Sequence, residues 1–218
     1  MLNKIARLCY KGNVPKIVDA EARRQEIAEA VFRVVRRDGL EQASLRLVAA
    51  EAGLVVGSVR HYFATHDELI VFAMRTLSER VRKRLLVHAE RLLDPAGPPV
   101  DRLELTERLL GELLPLDDTR RAETEVWLAF TAAARTRPEL AGDVTRSHDE
   151  IRAVTRRVLV EARRMGGLAD GLDLDLEAER LAALLDGLAM AAATQPGRTT
   201  PALMRQILRR HLSSLKRQ

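Results

Sequence analysis

Apolar residues along this chain recur every three or four positions, the spacing of helices that bury one face. From Arg23 to Asp38, Ile27, Ala28, Val31, Phe32 and Val35 share such a face, and Gly39 follows as a stop. Ser44 opens a second helix as its N-cap, because its hydroxyl can accept from a free backbone N–H of the next turn. Leu45, Val48, Ala49 and Ala52 form the buried stripe of that helix. Gly53 ends it, since glycine takes the left-handed conformation without a Cβ clash. A third helix begins near Val55 or Val56, with Val56, Val59 and Phe63 inward and Gly57, Arg60 and His61 outward. Thr65-His66-Asp67-Glu68 fits a capping box, in which threonine and glutamate satisfy each other's backbone donors at the start of a fourth helix.

Further along, proline and glycine punctuate the chain at Asp94-Pro95-Ala96-Gly97-Pro98-Pro99, at Pro115, at Pro138, from Gly166-Gly167 to Gly171, and at Gln195-Pro196-Gly197. The stretches between them are of helix length and rich in Leu, Ala, Arg and Glu, with no alternating β-rich run, so they predict about five more helices. Ser147-His148-Asp149-Glu150 reads as a solvated turn or helix start. The fold class is all-α: an N-terminal three-helix unit with a helix-turn-helix, then a larger C-terminal helical bundle, about nine helices in total.

Two short helices joined by a tight glycine turn, the second with an apolar back and a front of small and hydrogen-bonding residues, point to double-stranded DNA. The second helix of such a motif enters the major groove with its N-terminal residues at base edges, and small residues there let the backbone come close. Arg60 is the first choice for a base contact, because its planar fork matches two acceptors of guanine at once. Net charge is consistent with this. The chain carries +5, and through His66 Lys and Arg outnumber Asp and Glu by eleven to seven.

Residues 23 to 72 resemble the N-terminal domain of TetR-type (tetracycline-repressor-like) transcriptional regulators. The match runs through Val48-Ala49, Ala52-Gly53, Gly57-Ser58-Val59, Tyr62-Phe63 and His66-Asp67-Glu68-Leu69. The resemblance implies a DNA-binding set of Ser44, Arg46, Val55, Gly57, Ser58, Arg60, His61, Tyr62, Thr65 and His66, with Ser44, Tyr62, Thr65 and His66 on the phosphate backbone. This chain departs from the pattern in three places: Val55 replaces the usual hydroxyl residue, Arg60 the usual aromatic and His66 the usual lysine. Weaker phosphate anchoring at Val55 and His66 follows. The region from Glu125-Val126-Trp127-Leu128-Ala129-Phe130 to Leu185-Asp186-Gly187-Leu188 is similar, more loosely, to the choline-responsive (BetI-like) branch.

The resemblance also implies a homodimer built on the last two helices and a small-molecule effector in the C-terminal domain. Leu181, Leu184, Leu185, Leu188 and Ala192 form one candidate interface stripe, and Leu203, Ile207, Leu208, Leu212 and Leu215 the other. The alternative is that both stripes face the chain's own core. Trp127 and Phe130 are the only aromatic residues after Phe72 and share a helix face. They are the candidate pocket walls, with His88, His148 or Asp186 as polar fixings; the alternative is again the core. Two rings are too few for a choline cage.

These expectations divide the chain into a basic arm (1–20), a DNA-binding domain (21–66) and an effector-binding and dimerisation domain (67–218). Lys4, Arg7, Lys11 and Lys16 make the arm basic. Cys9 is the single cysteine and has no internal disulfide partner, and the N-terminus has no apolar signal core, so cytoplasmic residence is expected. No run of about 18 apolar residues suggests a membrane span. Phosphate-cradling glycine loops, His-Glu-x-x-His, Cys-x-x-Cys and a nucleophile elbow are all missing, so neither an enzyme nor a metal or cofactor site is expected. The leading reading is a repressor that binds a palindromic operator and is released by an effector. A ligand-independent DNA-binding protein, or a scaffold that has lost DNA binding, are the rivals.

Overall fold

The computed structural model describes residues 19–93 and 101–217, and within them nine α-helices. They are α1 (Ala20–Asp38), α2 (Leu45–Glu51), α3 (Val56–Tyr62), α4 (His66–Leu93), α5 (Arg102–Gly111), α6 (Asp118–Ala133), α7 (Pro138–Arg164), α8 (Leu174–Thr194) and α9 (Pro201–Ser214). A single 3-10 turn, Leu40–Gln42, joins α1 to α2. The all-α class is as expected. Residues 1–18 of the basic arm, Cys9 included, and the Asp94–Pro99 stretch lie outside the described residues.

Local chemistry sets the ends of these helices. Asp19 starts α1, its carboxylate accepting from the N–H of Glu21 at 3.0 Å. Ser44 caps α2 through the N–H of Leu47 at 3.3 Å, and Gly53, at φ 67°, turns the chain into α3. At α4 the N–H of Glu68 donates to Thr65 Oγ1 at 3.1 Å. The return bond differs from the expected box: the Glu68 carboxylate accepts from Ala64 N–H at 2.8 Å, one residue before the cap. Ser147 to Glu150 is neither a turn nor a start but the middle of α7, which Pro138 opens. Its run of polar residues crosses two faces of that helix: Ser147 Oγ lies 3.1 Å from Ser78 Oγ, and Asp149 is exposed to solvent.

The first core gathers Ile27, Val31 and Val34 of α1, Val48, Val59 and Phe63, and Leu69, Ile70, Ala73, Met74 and Leu77 of α4. It continues without a break into Val126 and Phe130 of α6 and Leu140 and Val144 of α7. A second core packs Leu109, Leu110 and Leu114 against α8 and α9. Ion pairs lace the first core to the rest. The buried carboxylate of Asp143 on α7 accepts two bonds from Arg75 Nε, at 3.1 and 3.0 Å. Arg36 of α1 meets Glu125 of α6 at 2.9 Å, and Arg137, at the start of α7, meets Glu41 at 2.8 Å. Arg80 of α4 pairs with Glu29 of α1. Among the described residues no helix is long and apolar enough to cross a membrane.

A Cβ at Gly53 would meet nothing within 4 Å, so alanine there is opposed only by its backbone conformation. Gly53→Ala is expected to lower stability by about 1–2 kcal/mol, read as a lower urea midpoint with an unchanged slope.

Candidate nucleic-acid interface and effector cavity

α3 is seven residues long, too short to stand without tertiary support. Val59 and the following Phe63 are fully buried and seat it on the first core. Val55, Gly57, Arg60 and His61 are exposed on the opposite side, with Ser58 half-buried beside them. This is the arrangement the apolar spacing implied. Arg60 and, on the first turn of α2, Arg46 are exposed and have no ion-pair partner among the described residues. Their charge is therefore available to an external acceptor.

Gly57 has no internal reason to be glycine. It sits within a helix, where glycine is disfavoured, and a Cβ built on it would meet nothing within 4 Å. What the missing side chain leaves open is the approach of another molecule to the helix backbone. Ser44 and Thr65 contribute to the same surface from the starts of α2 and α4. Each cap oxygen accepts from its own helix and keeps its O–H to donate outward.

His66 differs from expectation. Its Nε2 lies 3.0 Å from the carbonyl of Ala43, so this nitrogen carries the proton and donates. Nδ1 is 3.5 Å from Asp67. Through Nε2, His66 ties the start of α4 to the start of α2, so that donor is already used inside the chain. Tyr62 is half-buried and edge-on to His61, with ring centroids 5.1 Å apart.

One functional residue has no local sequence signal. Arg24 of α1 donates from Nη1 to the carbonyl of Tyr62 at 3.0 Å. Its guanidinium carbon lies 4.6 Å from the Phe63 ring centroid and 4.5 Å from that of Phe72. It thus closes the C-terminal end of α3, where helix carbonyls lack partners and carry partial negative charge.

In the C-terminal region α4 to α8 line a cavity of about 460 Å³ that is partly open to solvent. Its wall is mostly aliphatic, including Leu77, Val81 and Leu85 of α4, Leu109 and Leu113, and Ile151, Val154 and Val158 of α7. Trp127 is the one aromatic ring that lines it among the described residues, and it packs edge-on against His148 at 5.8 Å. Arg84 forms a polar wall, donating to Glu123 at 3.0 and 2.6 Å and to Glu112 at 2.9 Å, while Arg120 reaches Glu112 at 3.0 Å. Asp186 also lines the cavity and has no hydrogen-bond partner among the described residues. The surrounding protein desolvates its carboxyl and raises its pKa, an effect that His148 and Arg152 partly offset.

Of the expected pocket residues, Trp127 and Asp186 line the cavity and His148 supports Trp127. His88 stands behind the wall, its Nε2 3.4 Å from Glu112. Phe130 is fully buried in the first core and does not line the cavity; it lies about two turns along α6 from Glu123, which does. The Arg84, Glu112, Arg120 and Glu123 network was missed, since charged residues on three separate helices carry no sequence pattern.

The two leucine stripes also need correction. Leu181, Leu185, Leu188 and Ala192 of α8, and Leu208, Leu212 and Leu215 of α9 and its end, are buried within the protomer. Leu184 and Ile207 pack on the same core. Leu203 is 37% exposed, and Leu184 and Ile207 keep part of their surface open. Periodicity identified a buried face and could not say which molecule buries it.

Residues 99–217 match a family model described as BetI-type transcriptional repressor, C-terminal. The chain is 39% identical over 202 residues to the HTH-type transcriptional regulator PksA of Bacillus subtilis, covering 93% of this chain and 94% of that protein. A crystal structure of a transcriptional regulator from Rhodococcus sp. Rha1 is 32% identical with a TM-score of 0.74, covering 88% of this chain and 95% of that one. A transcriptional regulator from Saccharomonospora viridis, crystallised in complex with choline, shares the fold at a TM-score of 0.79 and 23% identity, covering 91% of this chain and 100% of that one.

The open space at Gly57 separates stability from binding. Gly57→Ala is expected to raise folding stability by up to about 1 kcal/mol and to weaken DNA binding severalfold in a fluorescence-anisotropy titration. An alanine variant that binds as tightly as the original would assign Gly57 no role at the interface.

Proposed function

Because this chain belongs to the TetR family of helix-turn-helix, DNA-binding transcriptional regulators, we propose that it acts as a homodimeric repressor, released from a palindromic operator when a small molecule fills the C-terminal cavity. Residues 21–66 form the DNA-reading unit, and residues 67–218 the effector and dimerisation unit. The observation that carries this reading is the sharing of α4 and α6 between the two. Leu77, Arg84 and Trp127 line the cavity, while Ile70, Met74, Val126 and Phe130 of the same helices sit in the core that seats α3. A ligand that alters the spacing of the cavity walls must move helices on which the recognition surface rests. How far operator binding falls is set by the ligand's differential affinity for the two arrangements.

The cavity supports an effector over the ligand-independent rival, which requires solid packing around Trp127. The choline held by the Saccharomonospora viridis regulator offers one effector class for the fold. The wall here favours a larger, mainly apolar molecule: one aromatic ring lines it, where a quaternary-ammonium cage needs several. A donor or cationic group on such a molecule would find Asp186 unpaired.

For the dimer, the sides of α8 and α9 turned away from the protomer core supply the surface. On α8 these are Leu176, Ala183, Gly187, Met190 and Thr194, of which Leu176 is 58% and Met190 49% exposed. On α9 Ala202, Leu203, Gln206 and Arg210 are exposed. Ala183 and Gly187 leave room for close helix approach, and two such pairs make a four-helix bundle. Dimerisation lets one short recognition helix per protomer read two half-sites about 34–36 Å apart.

Sedimentation should find a dimer in solution and two protomers on each operator. Met190→Arg should give a folded monomer with operator affinity reduced at least a hundredfold. One protomer per operator, or an unaltered dimer in that variant, would overturn the proposed symmetry. Occupancy of the cavity should change the emission of Trp127, the only tryptophan in the chain. A molecule that dissociates the protein from its operator without altering that emission acts elsewhere.

A further inference from the structure

Val55 is 71% exposed, more than any other large apolar side chain in the described structure. It occupies the N-cap of α3 and makes no side-chain cap bond. Valine is among the poorest residues at that position, where a hydroxyl or carboxamide would satisfy a free N–H. Neither burial nor helix stability therefore accounts for it. Its place does suggest a role. Val55 borders a shallow depression shared with Arg23, Leu54, Gly57, Ser58, His61 and Tyr62, and lies at its edge by the N-terminal end of α3, the end that enters the groove in such motifs.

A valine side chain has no donor, so it cannot anchor a phosphate. In the major groove, the C5-methyl of thymine is the one apolar projection among the four unmodified base edges. Gly57, one turn-step away with open space in front of it, lets the helix come close enough for side chain and methyl to touch. On the reading of α3 as the recognition helix, we propose that Val55 is a specificity-determining residue that reads a thymine methyl group in each operator half-site. It takes this contact where a hydroxyl residue would hold the backbone, and so exchanges sequence-independent affinity for discrimination. Arg60 remains the candidate for guanine, and the two side chains would read different base pairs.

Replacing thymine by deoxyuridine removes the methyl group and leaves every hydrogen-bonding group of the base edge in place. An operator is first selected from random duplex DNA with the full-length protein, and each thymine is then replaced singly. One symmetry-related position should respond, with affinity falling about fourfold per half-site, the worth of one buried methyl. Replacement in both half-sites together should cost more than tenfold. Val55→Ala should bind the thymine operator about as weakly as the original protein binds the uracil one, and should be indifferent to the replacement. Because Val55 is exposed, its alanine variant should keep the urea midpoint, and Val55→Thr supplies a second variant that retains one methyl and part of the discrimination. No responsive thymine, or an undiminished uracil penalty in Val55→Ala, overturns the assignment. A protein that selects no sequence at all overturns the operator reading itself, an outcome distinct from selecting an operator whose thymine methyls are silent.

Discussion

The guanidinium of Arg24 lies over the adjoining rings of Phe63 and Phe72 and donates to the carbonyl of Tyr62, so that α1, the end of α3 and the second turn of α4 meet on one side chain. Each ring contact is worth about 0.5–2 kcal/mol depending on how dry it is. The position matters more than the sum. α3 has only Val59 and the flanking Phe63 fully buried beneath it, and seven residues do not form a helix unaided. Its inclination to the rest of the molecule is set by what holds its two ends. At the front that is the Gly53 turn, and at the back it is Arg24. A lysine in this place would retain the charge but lose the flat face that lies against both rings.

From this clamp the constraint passes down α4. Phe72 and the buried Leu69, Ile70, Ala73 and Met74 belong to the core around α3, and Leu77, Val81 and Leu85 further along the same helix line the cavity. α6 makes the same connection in parallel, with Trp127 toward the cavity and Val126 and Phe130 toward α1. The ion pair Arg36–Glu125 fastens the middle of α6 to the N-terminal unit, and Arg137–Glu41 does the same for the start of α7. Close-packed interiors do not deform continuously, so a change in cavity shape is met by small rigid shifts of whole helices. Exposed ion pairs of this kind each contribute little to stability. They do fix the register in which those helices can shift.

Much of this fold was legible because it rests on local chemistry. Gly39 and Gly53 end helices at positive φ, Ser44 and Thr65 begin them, and Val56, Val59 and Phe63 define the inner side of α3. What the sequence did not carry was the identity of the partner across each buried face. The leucines of α8 and α9 serve the protomer's own core, and Phe130 lies in a core instead of a pocket, for that one reason. The same limit hid Arg24, whose partner Tyr62 is 38 residues away. His66 holds a contact of the same kind: the carbonyl of Ala43, 23 residues away, accepts a hydrogen bond from its Nε2. Polar runs inside long helices, such as Ser147 to Glu150, imitate turns when no glycine or proline decides the matter.

α6 serves two environments at once: Glu123 and Thr124 border the cavity, Glu125, Val126 and Phe130 bear on the N-terminal unit, and Trp127 touches both. A substitution at Glu123 or Thr124 alters the cavity wall alone, whereas one at Trp127 is felt on both sides. Lineages of such a chain are therefore free to vary the cavity wall at some positions of this helix, and are held at the one ring that both environments share.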